Sequence, residues 1–223
     1  MWRDVRLVIF DCDGVLVDSE TISNSVLARM LTAEGLPTTM VQARSEHQGM
    51  LLVDIRSRVE ETLGRALPGD WLTRYETDRD IAFRRELEPV AGAAETVRRI
   101  KAAGIGVCVA SQGKLSKTSL SLGLTGLDDL FPETARFSAY SVANGKPAPD
   151  LFLHAAASMG VEPAGCVVVE DTPSGVAAAV AANMRVLGYA ADSDEQALRD
   201  AGAMTILRLL DELAPLVCMD VSR

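Results

Sequence analysis

Residues 7–14 read Leu-Val-Ile-Phe-Asp-Cys-Asp-Gly, and this octapeptide restricts the fold more than any other stretch. Four consecutive apolar residues, two of them β-branched, suit a strand buried on both faces, the kind used in parallel sheets. The run stops at two carboxylates and a glycine. Side chains at i and i+2 of an extended chain share a face, so Asp11 and Asp13 project together from the strand's carboxyl end. Gly14 then lets the backbone turn away. Two such charges about 4 Å apart repel by about 4 kcal/mol at an effective dielectric near 20. A fold that keeps them together needs a metal ion, a raised pKa or both.

Three plainer readings compete. Asp13-Gly14 between apolar runs is a hairpin signal, with Val15-Leu16-Val17 as the returning strand. Asp-x-Asp-Gly also opens calcium loops, but those need Gly sixth and Glu twelfth, where this chain has Leu16 and Ile22. The third is a solvated acidic turn at a strand end.

With 223 residues and 48% hydrophobic content the chain can bury a sizeable core, as one domain or as a core with a modest insertion. A net charge of −9 argues against nucleic acid or an anionic membrane as a partner. An anionic substrate must therefore be held by local positive charge. Cys12, Cys108, Cys166 and Cys218 are widely spaced with no C-x-x-C pair, and three of them sit in or beside apolar strand-like runs, which predicts buried, reduced thiols. Cys12 sits beside carboxylates that raise its pKa and make it a poor nucleophile. No signal-peptide pattern opens the sequence, and no run approaches the roughly 18 apolar residues of a membrane span. The expectation is a cytoplasmic protein; no signature sets its oligomeric state.

Between residues 17 and 87 strand-like runs vanish. Ile22, Val26, Leu27, Met30 and Leu31 recur at helical spacing, with Gly35 and Pro37 as a stop. Further helices are predicted at Leu51–Leu63 and Trp71–Leu87. The segment 17–87 thus predicts a small helical bundle inserted after the first strand, leaving 1–16 and 88–223 as the core. From Pro89 on, helices and strands alternate. Helices are predicted at Ala93–Ala103, Lys114–Leu122, Asp150–Met159 and Gly175–Ala182, the last stopped by Asn183 as a left-handed cap. Strands are predicted at Ile105–Ala110, Phe137–Ala139 and Cys166–Val169, with edge strands at Met184–Leu187 and Met204–Ile206. The pattern is that of an α/β, doubly wound parallel sheet.

The polar residues then fall into place. Asp11 and Asp13, Ser111, and Glu170 with Asp171 each follow a buried strand, at the edge where open α/β sheets bind ligands. Lys146, in the turn Asn144-Gly145-Lys146-Pro147, can reach the same edge. Four carboxylates, a hydroxyl and a lysine in one crevice suit Mg²⁺, a hard cation that takes oxygen ligands and leaves room for phosphate oxygens. Each residue also has a commoner use. Ser111 could cap a helix, Lys146 could lie on the surface, and Glu170 and Asp171 could complement a helix dipole.

With FDCDGVLVDSE, VCVASQG, NGKPAPD and VVVEDTPSG in this order, the chain resembles the haloacid dehalogenase superfamily, in the phosphatase and sugar-phosphate mutase branch with a helical cap. The resemblance implies a Rossmann-like core and roles for single residues. Asp11 is the implied nucleophile, forming an aspartyl-phosphate. Asp13 is the implied general acid and then base, its pKa expected to be raised by the Asp11 charge. Mg²⁺ is expected on Asp11, Asp171 and the Asp13 carbonyl, with Glu170 acting through water. Ser111 and Lys146 are expected on the phosphoryl oxygens, with help from amides at a helix N-terminus.

The family's mutases carry a histidine twelve residues past the nucleophile and an arginine after a cap-loop glycine. Here Ser23 stands at the first position and, counting from Gly49, Leu52 at the second. A Mg²⁺-dependent phosphatase of a small phosphorylated metabolite is therefore expected, with a mutase or a non-catalytic phospholigand-binding protein as alternatives. Substrate choice is expected from the helix around Glu20, Ser23 and Asn24 and from a loop Glu46–Met50 containing Gln48 and Gly49. His47 and His154, the two histidines of the chain, form no ligand pair. Gly113-Lys114-Leu115-Ser116 lacks the features of a phosphate loop.

Overall fold

The computed structural model of the chain describes residue 2 and residues 4–218. Its sheet has six strands: β1 Leu7–Phe10, β2 Gly106–Ser111, β3 Arg136–Ser138, β4 Cys166–Glu170, β5 Arg185–Tyr189 and β6 Thr205–Leu207. They lie in the order β3-β2-β1-β4-β5-β6, and every pairing is parallel. That is the order of a doubly wound nucleotide-binding fold, in which the strand order reverses beside β1. Helices α5 Ala93–Ala102, α6 Leu115–Leu124, α7 Asp150–Ser158, α8 Pro173–Ala181, α9 Glu195–Asp200 and α10 Leu213–Val217 flank this sheet.

The two-residue period of the strands builds two cores from one run of sequence. Val8, Phe10, Val109 and Val169 join Val97, Ile100 and Leu213 of α5 and α10 on one face. Leu7, Ile9, Cys108 and Val168 join Phe152 and Val176 of α7 and α8 on the other. Burying one such Val, Leu or Ile side chain contributes about 1.5–3 kcal/mol. The run LVIF accordingly belongs in the middle of a sheet.

Between β1 and α5 lie α1 Glu20–Ala33, α2 Met40–His47, α3 Leu52–Leu63 and α4 Trp71–Glu86. They carry an apolar cluster of their own, with Leu27, Leu31, Ile55, Val59, Trp71 and Tyr75 among its members. Phe83 near the end of α4, and Leu87 just after it, belong instead to the cluster of the sheet, so α4 is anchored in both.

Three expectations are corrected. Helix α2 has no apolar stripe and buries only Ala43 and His47, so periodicity missed it. A capping box starts it: Gln42 N–H donates to Thr39 Oγ1 at 3.2 Å, and Thr39 N–H to Gln42 Oε1 at 2.9 Å. Glu46 and His47 are therefore helical, and the expected loop begins at Gln48. Strand β5 is no edge strand; it pairs with both β4 and β6. The hairpin reading of Val15–Val17 also fails. The amides of Leu16 and Val17 donate to the Cys12 carbonyl at 2.9 and 3.1 Å, closing a tight turn around Gly14, whose φ is +73°. Val17 then bridges to Pro89. Asn183 has φ +56°, the left-handed helix stop that was expected. Among the described residues no helix is long and apolar enough to cross a membrane.

Candidate active site

Strands β1, β2 and β4 are neighbours, so the residues at their carboxyl ends converge although they lie up to 160 positions apart (Asp11 to Asp171). They border a cavity of about 150 Å³ that Asp11, Asp13, Lys146, Glu170 and Asp171 line from the sheet side. Helices α1, α3 and α4 and the segment Gln48–Met50 close it from above. Glu20, Ser23, Gln48 and Gly49 all line it.

Lys146 is the hub. Its Nζ donates to Asp11 Oδ1 at 2.5 Å, to Glu170 Oε1 at 2.5 Å and to the Ala110 carbonyl at 3.1 Å. The side chain is buried, and the surface reading of this lysine is discarded. Burial favours the neutral amine, but the Asp11 and Glu170 carboxylates outweigh it and hold the ammonium form. Glu170 Oε2 accepts from Thr172 N–H at 3.0 Å and from Thr172 Oγ1 at 2.9 Å. Ser111 ends β2 fully buried and caps no helix; α6 starts at Leu115. Its Oγ accepts from Gly113 N–H at 3.0 Å and lies 3.5 Å from Asp13 Oδ2.

The charges on Asp11 and Asp13 diverge, and in the opposite sense to the sequence reading. Burial, only partly offset by Lys146 and reinforced by Glu170 and Asp13, pushes Asp11 up to about 7. Burial also acts upward on Asp13, but Lys117, a hydrogen bond from Ser19 and the charge of Arg79 prevail and hold its carboxyl below the usual range. The expectation of a raised Asp13 is corrected: its dominant neighbour is an ammonium 104 residues away, not Asp11. Asp171 is raised well above its ordinary value by burial and by the Glu170 and Asp11 charges. Among the described residues its buried Oδ1 has no hydrogen-bond partner, while Oδ2 lies 3.5 Å from Gln48 Nε2.

This donor set fits a divalent cation. Among the described residues Lys146 pairs with Asp11 and Glu170 and Lys117 with Asp13, while Asp171 has no ion-pair partner. The unpartnered Asp171 oxygen is the atom such an ion would satisfy. Among the described residues no three carboxylate, imidazole or thiol side chains gather as a ready metal cage. A hard ion that keeps several waters needs no such cage.

Sequence reasoning missed Lys117, Arg79, Gln112 and Tyr75, all of which line the cavity. Lys114 and His47, discounted as a phosphate-loop lysine and as a ligand, line it too. His47 is buried, and burial lowers its pKa. Cys12 is fully buried and pushed far up by that burial and by Asp13, an inert thiol as expected.

A parallel sheet with acidic strand ends and a buried lysine defines a hydrolase class, and the chain belongs to the haloacid dehalogenase-like hydrolases, whose family model matches residues 5–183. It is 32% identical over 191 residues to the 6-phosphogluconate phosphatase of Escherichia coli K12, covering 84% of each chain. It is 30% identical over 217 residues to hexitol phosphatase B of Escherichia coli O157:H7, covering 95% of each. A solved HAD family hydrolase from Deinococcus radiodurans R1, with bound phosphate and sodium, superposes with a TM-score of 0.76 at 31% identity, covering 96% of this chain and 97% of that one.

Proposed function

We propose that the chain is a Mg²⁺-dependent phosphatase that hydrolyses a small phosphorylated metabolite, a sugar phosphate or similar, through an aspartyl-phosphate on Asp11. The observation that carries this reading is the convergence of Asp11, Asp13, Glu170 and Asp171 with buried Lys146 on one cavity at the carboxyl edge of β1, β2 and β4. Relatives named as phosphatases of 6-phosphogluconate and of hexitol phosphates, and a structural neighbour holding phosphate, support it. Residues 17–87 act as the cap that selects substrate, through Glu20, Ser23, Gln48 and Gly49.

Asp11 attacks phosphorus, the bond to the leaving oxygen breaks, and that oxygen takes a proton from Asp13. Water then bonds to phosphorus and gives its proton to Asp13 as the Asp11–phosphorus bond breaks. In the substrate-free protein Lys117 keeps Asp13 ionised; a phosphate dianion arriving beside it raises its pKa, so protonation accompanies binding. Ser111 and Lys146 hold the phosphoryl oxygens against displacement. Mg²⁺ would rest on Asp11, Asp171 and the Asp13 carbonyl, with Glu170 behind a water; when bound it neutralises phosphate charge and lets an anionic nucleophile approach.

The phosphatase reading takes precedence over the mutase one because Ser23 and Leu52 line the cavity where the family's mutases carry histidine and arginine. The test is release of inorganic phosphate from a panel of sugar and polyol phosphates, with Mg²⁺ or with chelator. Asp11→Asn should lower turnover by at least about 1,000-fold, since loss of a nucleophile costs up to about 10⁶ in kcat. Asp11→Asn turning over at the parent's rate, or a hexose 1-phosphate converted to its 6-phosphate without free phosphate, overturns the proposal.

A further inference from the structure

Lys117 has no place in the motifs that carry the family resemblance, yet it reaches the centre of the site. It is the third residue of α6, and it is 7% exposed. Its ammonium pairs with Asp13 Oδ1, and Ser19 Oγ donates to the same oxygen at 2.5 Å. Among the described residues the hydrogen-bond partner of Asp13 Oδ2 is the Ser111 hydroxyl, at 3.5 Å. The two carboxylate oxygens are therefore unequal: one is taken by a cation and a hydroxyl, the other is left toward the phosphate-binding residues.

Lys117 is also held from behind. Its Nζ lies 5.9 Å from the centre of the Phe83 ring, on the helix that spans sheet and bundle. Arg79 lies 5.7 Å from the same ring, and its guanidinium is fixed by Nε and Nη2 bonds to Asp80 at 3.0 and 2.7 Å. A buried ammonium cannot leave a carboxylate partner without losing its compensation, so the pair fixes a carboxylate rotamer.

We propose that Lys117 is a positioning residue: together with Ser19 it occupies Asp13 Oδ1 and so commits Oδ2 to proton exchange with the leaving group. This rests on the reading that Asp13 protonates the leaving oxygen. As the phosphorus–oxygen bond breaks, its electron pair stays on the leaving oxygen and the proton on Asp13 Oδ2 moves there. In the second half-reaction a water proton returns to Oδ2.

The consequence is a dependence on the leaving group. An alkoxide needs that proton, whereas 4-nitrophenolate leaves without it. In the full-length protein with Mg²⁺, Lys117→Met should lower kcat/KM for glycerol 2-phosphate about 100-fold, the lower end of general acid–base contributions. For 4-nitrophenyl phosphate the loss should stay below about tenfold, and inorganic phosphate should inhibit within about threefold of its potency on the parent. Lys117→Arg should recover part of the alkyl-phosphate rate. Equal losses on both substrates would reduce Lys117 to a structural role, and weakened phosphate inhibition would make it a phosphate ligand; either result overturns the proposal. If Lys117→Met fails to fold, Ser19→Ala decides: the same split supports the proposal and its absence overturns it. A parent inactive on both esters defeats the phosphatase reading and this inference with it, whereas an active parent with unsplit variants defeats the inference alone.

Discussion

Gly175 lies in the first turn of α8, where alanine in place of glycine ordinarily gains about 0.5–1 kcal/mol of helix stability. Here a methyl group would overlap the carboxylate carbon and both oxygens of Glu170. Glu170 would have to leave its place, breaking the 2.5 Å bond from Lys146 and the two bonds from Thr172 at 3.0 and 2.9 Å. Removing one partner of a buried ion pair costs about 3–5 kcal/mol; less the helix gain, Gly175→Ala should lose about 2–4 kcal/mol. With a urea slope of about 3 kcal/mol per M, the unfolding midpoint falls by about 1 M. The assay is urea unfolding followed by circular dichroism in the presence of chelator, repeated in a Glu170→Ala background, where the methyl has room and should cost little. A single variant with a midpoint at or above the parent's refutes the reasoning.

Two further outcomes follow from the same electrostatics. Asp11 is pushed up to about 7 in the metal-free protein, so the folded chain binds a proton that the unfolded chain releases near pH 4. The stability from this group is complete below about pH 4 and is lost as pH rises through about 7. In chelator, parent stability relative to Asp11→Asn should fall across that window; a flat or rising difference rejects the assignment. The second concerns thiols. Brief alkylation with iodoacetamide at pH 8 should mark Cys218 first and leave Cys12, Cys108 and Cys166 unmodified by mass spectrometry, because these three are buried and their thiols are held neutral. Early modification of Cys12 would contradict it.

The strand ends were legible because a fully buried parallel strand is an uninterrupted apolar run, and a polar residue at its end stands out. Helices α1, α3 and α4 were legible from their apolar spacing. Helix α2 was not: it rests on a capping box and two buried residues, with no stripe to detect. Lys117 was hidden for another reason. On a surface helix a lysine is the expected residue, and nothing local shows that its stem turns inward past Phe83 to a carboxylate 104 positions earlier. The error on Asp13 has the same root, since the sequence displays the neighbour two residues away and conceals the one across the fold. The placement of β5 failed because β6, three residues long and half exposed, gives too faint a signal to show that another strand lies outside it.

Strand β1 has a consequence for how the chain must be made. Residues 7–10 leave the ribosome well before their two neighbours, which begin at Gly106 and Cys166. Until β2 is made this apolar strand waits with both edges open, and until β4 is made with one, a state in which chains stick to one another. The four helices that emerge next carry their own apolar cluster and can gather during that delay. Asp171 is the last of the four clustered carboxylates to be delivered, so truncation anywhere upstream yields a product without the complete set.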